Sequence, residues 1–276
     1  MKQLKFYIVS LFLILIIKSG YSQGYASAEL GLAYGSGIFK NSVETFVNTK
    51  FEETTYFSEN KKFSLGSGFR VYANGFYHFQ ENIAIGLGIM KNFNQDVEFM
   101  EVNAVSGIVS ENTRTLSASR LSFRPMIQLN TDFDKLNVFL QLGFSFNSTK
   151  QKLHESISIS NKKTEYFWEY SGTSGMGYFT SLGLSYKLNK EIGVNFGISL
   201  DNYQYSPSNN YLKKLTEDGI NMPLADLKEI DKTVTFSDWV SDQYSQNPDL
   251  EKPLELPKQT FVYNSISIFL GLSYQF

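Results

Sequence analysis

Residues 260–276 read TFVYNSISIFLGLSYQF, and their alternation separates two faces. Even positions carry Val262, Ile266, Ile268, Leu270, Leu272, Tyr274 and Phe276, while odd positions carry Ser265, Ser267, Gly271, Ser273 and Gln275. Successive strand side chains point to opposite sides, so one face is apolar and the other small and polar. A soluble sandwich also alternates, but it buries the bulky face and exposes charges on the other. Here the second face is uncharged and small, which suits a narrow lumen with lipid outside.

The same period of two recurs upstream. In 191–205, Ile192, Val194, Phe196, Ile198 and Leu200 oppose Gly193, Asn195, Gly197, Ser199 and Asp201. In 136–147 the apolar set is Leu136, Val138, Leu140, Leu142, Phe144 and Phe146, with Phe139 a bulky exception on the polar side. Residues 175–188, 83–89 and 120–129 behave alike, and 24–38 and 63–79 do so more weakly, with Leu65 and Tyr77 assigned outward. Eight segments result, most with about the 9 to 11 residues a tilted strand needs to cross the hydrocarbon layer. The expected fold is all-β, a transmembrane antiparallel up-and-down barrel of eight strands, with ten strands as the alternative.

Residues 1–22 have a basic start at Lys2 and Lys5, an apolar run of 12 residues from Phe6 to Ile17, and small residues at Gly20 and Ser22. They read as a cleaved secretory signal, leaving 23–276 as a single barrel domain. The run is shorter than the roughly 20 residues of a spanning helix. The chain has no cysteine, so neither a lipid-attachment thiol nor a disulfide framework is available. Without Lys2, Lys5 and Lys18 the remainder has about five more acidic than basic side chains, which argues against a nucleic-acid partner.

The joints between segments alternate in length. Short turns fall at 80–82, 131–135 and 189–190, and long connections at 39–62, 95–115, 149–173 and 206–259. Transmembrane barrels keep short turns in the periplasm, so both termini are expected there. The first three long connections are rich in strand formers and are expected to extend the barrel as hairpins. The fourth holds five of the six prolines and ten acids against six lysines. A connection of that length is expected to be a lid or a recognition element, with PLADLKEIDK and SDWVSDQYSQ forming short helices. Pro125 interrupts a barrel strand, where a bulge is expected.

The leader, the eight strands, the rhythm of joints and the ending FLGLSYQF resemble the small outer-membrane β-barrel proteins of Gram-negative bacteria, the OmpA/OmpX type. The resemblance is one of pattern over the whole chain after the leader. It implies a bacterial outer-membrane location, with outer-membrane lipid and the barrel assembly machinery as partners. Gly271, Tyr274 and Phe276 fit the terminal-strand signal that this machinery reads in the family, while Phe269 departs from the polar residue that usually opens it.

Inward charges are few: Glu29, Arg70, Arg120, Arg124, Lys187 and Asp201. Unpaired ions in a narrow interior cost several kcal/mol, so Arg70 and Arg124 are expected near Glu29, and Arg120 towards Asp201. Such a network plugs an eight-stranded barrel, whose interior is just filled by its own side chains. Only His78 and His154 are available as imidazoles, and no catalytic set, metal site or cofactor site can be assembled around them. Tyr166, Phe167, Trp168 and Tyr170 are expected at the outer interfacial belt, with Tyr77, Tyr186, Tyr274 and Phe276 at the inner one. Trp168 and Trp239 are also the candidates for contact with an unidentified extracellular partner. The leading expectation is therefore a non-enzymatic, monomeric scaffold displaying loops at the cell surface. A narrow porin-like channel and a lipid-modifying enzyme are the alternatives.

Overall fold

The computed structural model describes residues 24–37, 47–52, 55–60, 65–80, 82–105, 108–172, 175–238 and 249–276. Eight antiparallel strands close on themselves: β1 (Tyr25–Gly37), β2 (Gly68–Gln80), β3 (Ile83–Asn94), β4 (Ile108–Phe133), β5 (Leu136–Ile159), β6 (Gly175–Lys187), β7 (Ile192–Tyr205) and β8 (Ser265–Gln275). Each pairs with its neighbours in chain order, and β8 returns to β1 with Leu30 opposite Leu272 and Gly31 opposite Gly271. Closure leaves the ring no free edge, the condition for strands to cross lipid. No helix among the described residues is long and apolar enough to cross a membrane. The alternation read from the sequence thus becomes an outward apolar belt, including Leu32, Ile127, Leu142, Leu182, Ile198 and Leu270, all exposed on the barrel wall.

Short turns and the ends of β1 and β8 share one rim, the turn rim. At the other rim β4 and β5 continue beyond the ring. Their register runs unbroken in sense from Phe133 opposite Leu136 to Ser110 opposite Ile159. A strand of 26 residues is about 85 Å long at the usual rise, so much of β4 stands clear of the hydrocarbon layer. Around these two strands a distal sheet assembles from Val97–Val105, Lys162–Ser171, Asn209–Glu217, Thr233–Ser237 and Leu254–Pro257. Val47–Glu52 and Thr55–Asn60 pair as a separate hairpin. Much of the sequence assigned to connections at 95–115 and 149–173 is therefore strand.

The side-chain pattern inverts where β4 leaves the barrel. Below Arg120 its outward positions are Leu121, Phe123, Ile127 and Leu129, whereas above it they are Ser119, Ser117, Thr115 and Thr113. Inward positions change the opposite way, from Ser122 and Arg124 to Ala118 and Leu116. On β5 the outward series Leu142, Phe144, Phe146 gives way to Ser148, Lys150 and Lys152. Lipid faces the lower part and water the upper, so the same strand conceals opposite chemistry in its two halves.

Two expectations about strand detail are corrected. Pro125 produces no bulge: pairing with β5 lapses at Arg124 and Pro125 and resumes at Met126 in the same register, so the missing donor costs ladder bonds without shifting the strand. Leu65 does not face lipid but is wholly buried under the distal sheet with Tyr203, Tyr205, Phe261 and Tyr263. The fourth connection contributes strands and two short helical turns, Leu224–Asp226 and Glu229–Lys232, while most of SDWVSDQYSQ, with Trp239, lies outside the described residues.

Candidate functional site: a closed lumen and a chamber at the turn rim

The barrel interior is closed by a plug towards the end away from the turn rim. Asp201 on β7 is the hub: its Oδ2 accepts from Arg70 Nη1 at 2.5 Å and its Oδ1 from Arg124 Nη2 at 2.7 Å. Arg70 also donates to the Gly66 carbonyl at 2.9 Å and to Ser265 Oγ. Arg124 lies 3.6 Å over the Phe179 ring, a cation–π contact in a site without bulk water. Arg120 lies above, 5.4 Å from the Tyr203 ring, with Nε and one Nη lacking a hydrogen-bond partner among the described residues. Glu29 is apart from this cluster. Its Oε1 accepts from Tyr72 Oη at 3.1 Å and Asn195 Nδ2 at 3.0 Å, and its Oε2 from Asn74 Nδ2 at 3.0 Å.

This pairing differs from the expected one, since Arg70 and Arg124 take Asp201 and leave Glu29 to neutral amides and a phenol. Register accounts for Arg70, which lies on one row with Asn92, Arg120 and Thr149, displaced from the row of Glu29. Arg124 shares the row of Gly88, Asn74, Glu29 and Ser273, and it is its long side chain that reaches Asp201 across the lumen.

Apolar rings fill what the ions do not. Tyr72, Met90, Phe139 and Phe269 form one inward cluster and Phe76, Met126 and Phe179 another. The inward face is thus bulkier than the sequence suggested, and its glycines explain how. A Cβ added at Gly183 would lie 2.4 Å from Phe139 Cζ, and one at Gly86 would lie 2.5 Å from Phe76 Cδ1. Each glycine makes room for an aromatic ring from the neighbouring strand. A residual void of about 20 Å³ touching Glu29, Arg70, Tyr72 and Arg124 holds at most about one water.

Between plug and turn rim lies a chamber of about 230 Å³. Glu29, Phe76 and Phe139 line it, as do Ser27, His78 and Lys187. The His78 ring stacks on Tyr25 at 4.1 Å, and its Nε2 is 2.9 Å from Ser27 Oγ. His78 Nδ1 has no hydrogen-bond partner among the described residues. The chamber is a feature that strand parity had not shown, because its residues come from several strands and meet only on closure.

Beyond the plug, Tyr203, Tyr205, Phe261 and Tyr263 pack under the distal sheet, with Tyr263 Oη donating to Gln151 Oε1 at 3.0 Å. The expected outer aromatic belt is corrected here. Tyr170 is buried in this core, and Trp168, between Leu153 and Leu212 in register, shares its face. Phe167 points the other way and stacks on His154 at 4.3 Å. The aromatic residues exposed near that rim are instead Tyr34, Phe93, Phe146 and Tyr178. At the turn rim, Tyr186, Tyr274 and Phe276 are exposed, Tyr77 only partly so, and Gly271 is buried against Tyr72 and Glu29.

Closed ring, apolar exterior and packed interior define an eight-stranded membrane β-barrel. No family model matches the chain, and no curated protein matches it in sequence. Among solved structures it is similar to Neisserial surface protein A, at 12% identity over 92% of this chain and 98% of that one, with a TM-score of 0.38. It is also similar to Ail, the attachment invasion locus protein of Yersinia pestis, at 10% identity over 92% and 99%, TM-score 0.34. A third likeness is to the outer membrane protease OmpT from Escherichia coli, at 10% identity over 91% and 97%, TM-score 0.40.

Proposed function

We propose that this barrel is an outer-membrane scaffold whose role is carried by the distal sheet, held outside the cell with the turn rim and both termini in the periplasm. The observation behind this reading is the plug. Arg70, Asp201 and Arg124 join across the lumen with aromatic rings packed below them, so among the described residues the bore is filled where a channel would need a continuous aqueous path. Among the described residues the Ser27–His78 pair has no third group to orient the imidazole, so those residues lack the arrangement that activates a serine. The distal sheet, by contrast, presents two edge strands, Val97–Val105 and Leu254–Pro257, and a polar outer face to whatever lies outside.

Planar-bilayer recording on refolded protein tests this. No steady conductance is expected from the full chain, nor after residues 206–259 are replaced by a short turn, because the plug lies below that segment. Steady conductance that appears on the replacement would establish a gated channel instead. Protease added to intact cells should cleave the distal segments and spare the turn rim.

A further inference from the structure

We infer that the turn-rim chamber is a binding site for a small organic ammonium compound, seated with its cationic nitrogen on Glu29. The inference is independent of the scaffold reading, which concerns the opposite face of the plug. Glu29 is 3% exposed, and no cation among the described residues pairs with it within ion-pair distance. An ionised carboxylate offers about four acceptor positions, of which Tyr72, Asn195 and Asn74 take three. Oε1 is doubly occupied, and Oε2 accepts a single bond. A charge-assisted donor would complete the set.

The surroundings select the class of ligand. Phe76 and Phe139 supply ring surface, which favours an ammonium over a strongly hydrated metal ion. No group of three metal-ligating side chains forms among the described residues. The volume of about 230 Å³ limits the ligand to a compact molecule.

Titration of the refolded full-length barrel in micelles, followed by the NMR ring signals of Tyr25 and Phe76, tests the inference with three probes. Saturable shifts are expected with 6-aminohexanoate and hexylammonium, and none with hexanoate. Glu29→Gln should weaken 6-aminohexanoate at least about tenfold, with the folded state checked by heat-modifiable migration. Ser185→Phe, which puts a ring into the chamber from its wall and leaves the Glu29 carboxylate in place, should abolish the shifts and serves if Glu29→Gln does not fold. Equal response to hexanoate, or unchanged binding in Ser185→Phe or in folded Glu29→Gln, would overturn the proposal.

Discussion

The lower and upper halves of β4 and β5 are one continuous pair of strands built to two opposite rules. In the barrel, Leu121, Phe123, Ile127 and Leu129 face out, and Ser122 and Arg124 face in. In the distal sheet, Ser117 and Thr115 face out while Leu116 and Ala118 are buried. The two strands keep one register throughout, so the difference comes from the solvent. Where lipid solvates the wall, the interior must absorb the polar groups and satisfy them with one another. Where water does, the interior reverts to an ordinary apolar core, here made of Leu65, Tyr203, Tyr205, Phe261 and Tyr263. The plug lies beneath that change, which is why it is ionic.

This contrast can be broken most severely at its ionic side. Asp201→Ala leaves Arg70 and Arg124 without their shared carboxylate, and removing one partner of a buried pair costs about 3 to 5 kcal/mol. The urea midpoint of the heat-modifiable folded band should fall sharply, and an unchanged midpoint would show that the plug is not closed by these ions. The inversion itself is tested by one substitution on either side of it. Ile127→Lys puts a charge on the lipid face and should cost about 2 to 4 kcal/mol, whereas Ser117→Lys, outward on the same strand, should cost close to nothing. Similar losses at both positions would place both in one medium.

Smaller effects sharpen the account of each half. Gly183→Ala forces a methyl against the Phe139 ring and should cost about 1 to 3 kcal/mol, with Phe139→Leu restoring part of it in the double variant. Additive losses would mean that the ring is not what Gly183 accommodates. In the distal sheet, the Lys163 ammonium 2.8 Å from Glu165, with Thr216 donating to the same carboxylate, holds the Glu165 carboxyl below the usual range. A lowered carboxyl contributes stability that is complete above the unfolded glutamate range and is lost as pH falls through the lower folded value. Acid should therefore loosen the Lys162–Ser171 strand slightly, seen as a change in Trp168 fluorescence in a Trp239→Phe background. Glu165→Gln should abolish that acid response, and a response that survives the substitution would assign it elsewhere.

The regions differ also in how far they could be read from residues. Outward positions such as Ile268, Leu270 and Leu272 were legible because lipid imposes one chemistry on every second residue. Inward positions were legible only as charges. That Arg70 and Arg124 choose Asp201 over Glu29, and that Phe76, Phe139 and Phe179 fill the bore, depends on which side chains meet across the closed ring. The belt assignment of Tyr166 to Tyr170 failed for a related reason, since aromatic residues alternate on a water-exposed strand much as they do at a membrane edge. A signal was nevertheless present. Asp218 and Gly219, both with positive φ, form the two-residue turn between Asn209–Glu217 and Ile220–Asn221, and an Asp-Gly pair between strand formers is a hairpin signal.

The sequence by itself determined the class of the protein, because alternation with period two is a local property that needs no knowledge of neighbours. It also held the inversion at Arg120 on β4 and at Ser148 on β5. Only the tertiary structure decided the partner of each buried charge, the fit of each ring over its glycine and the existence of the chamber below Glu29. Those features belong to the register around a closed ring, where side chains far apart in the chain meet at one height.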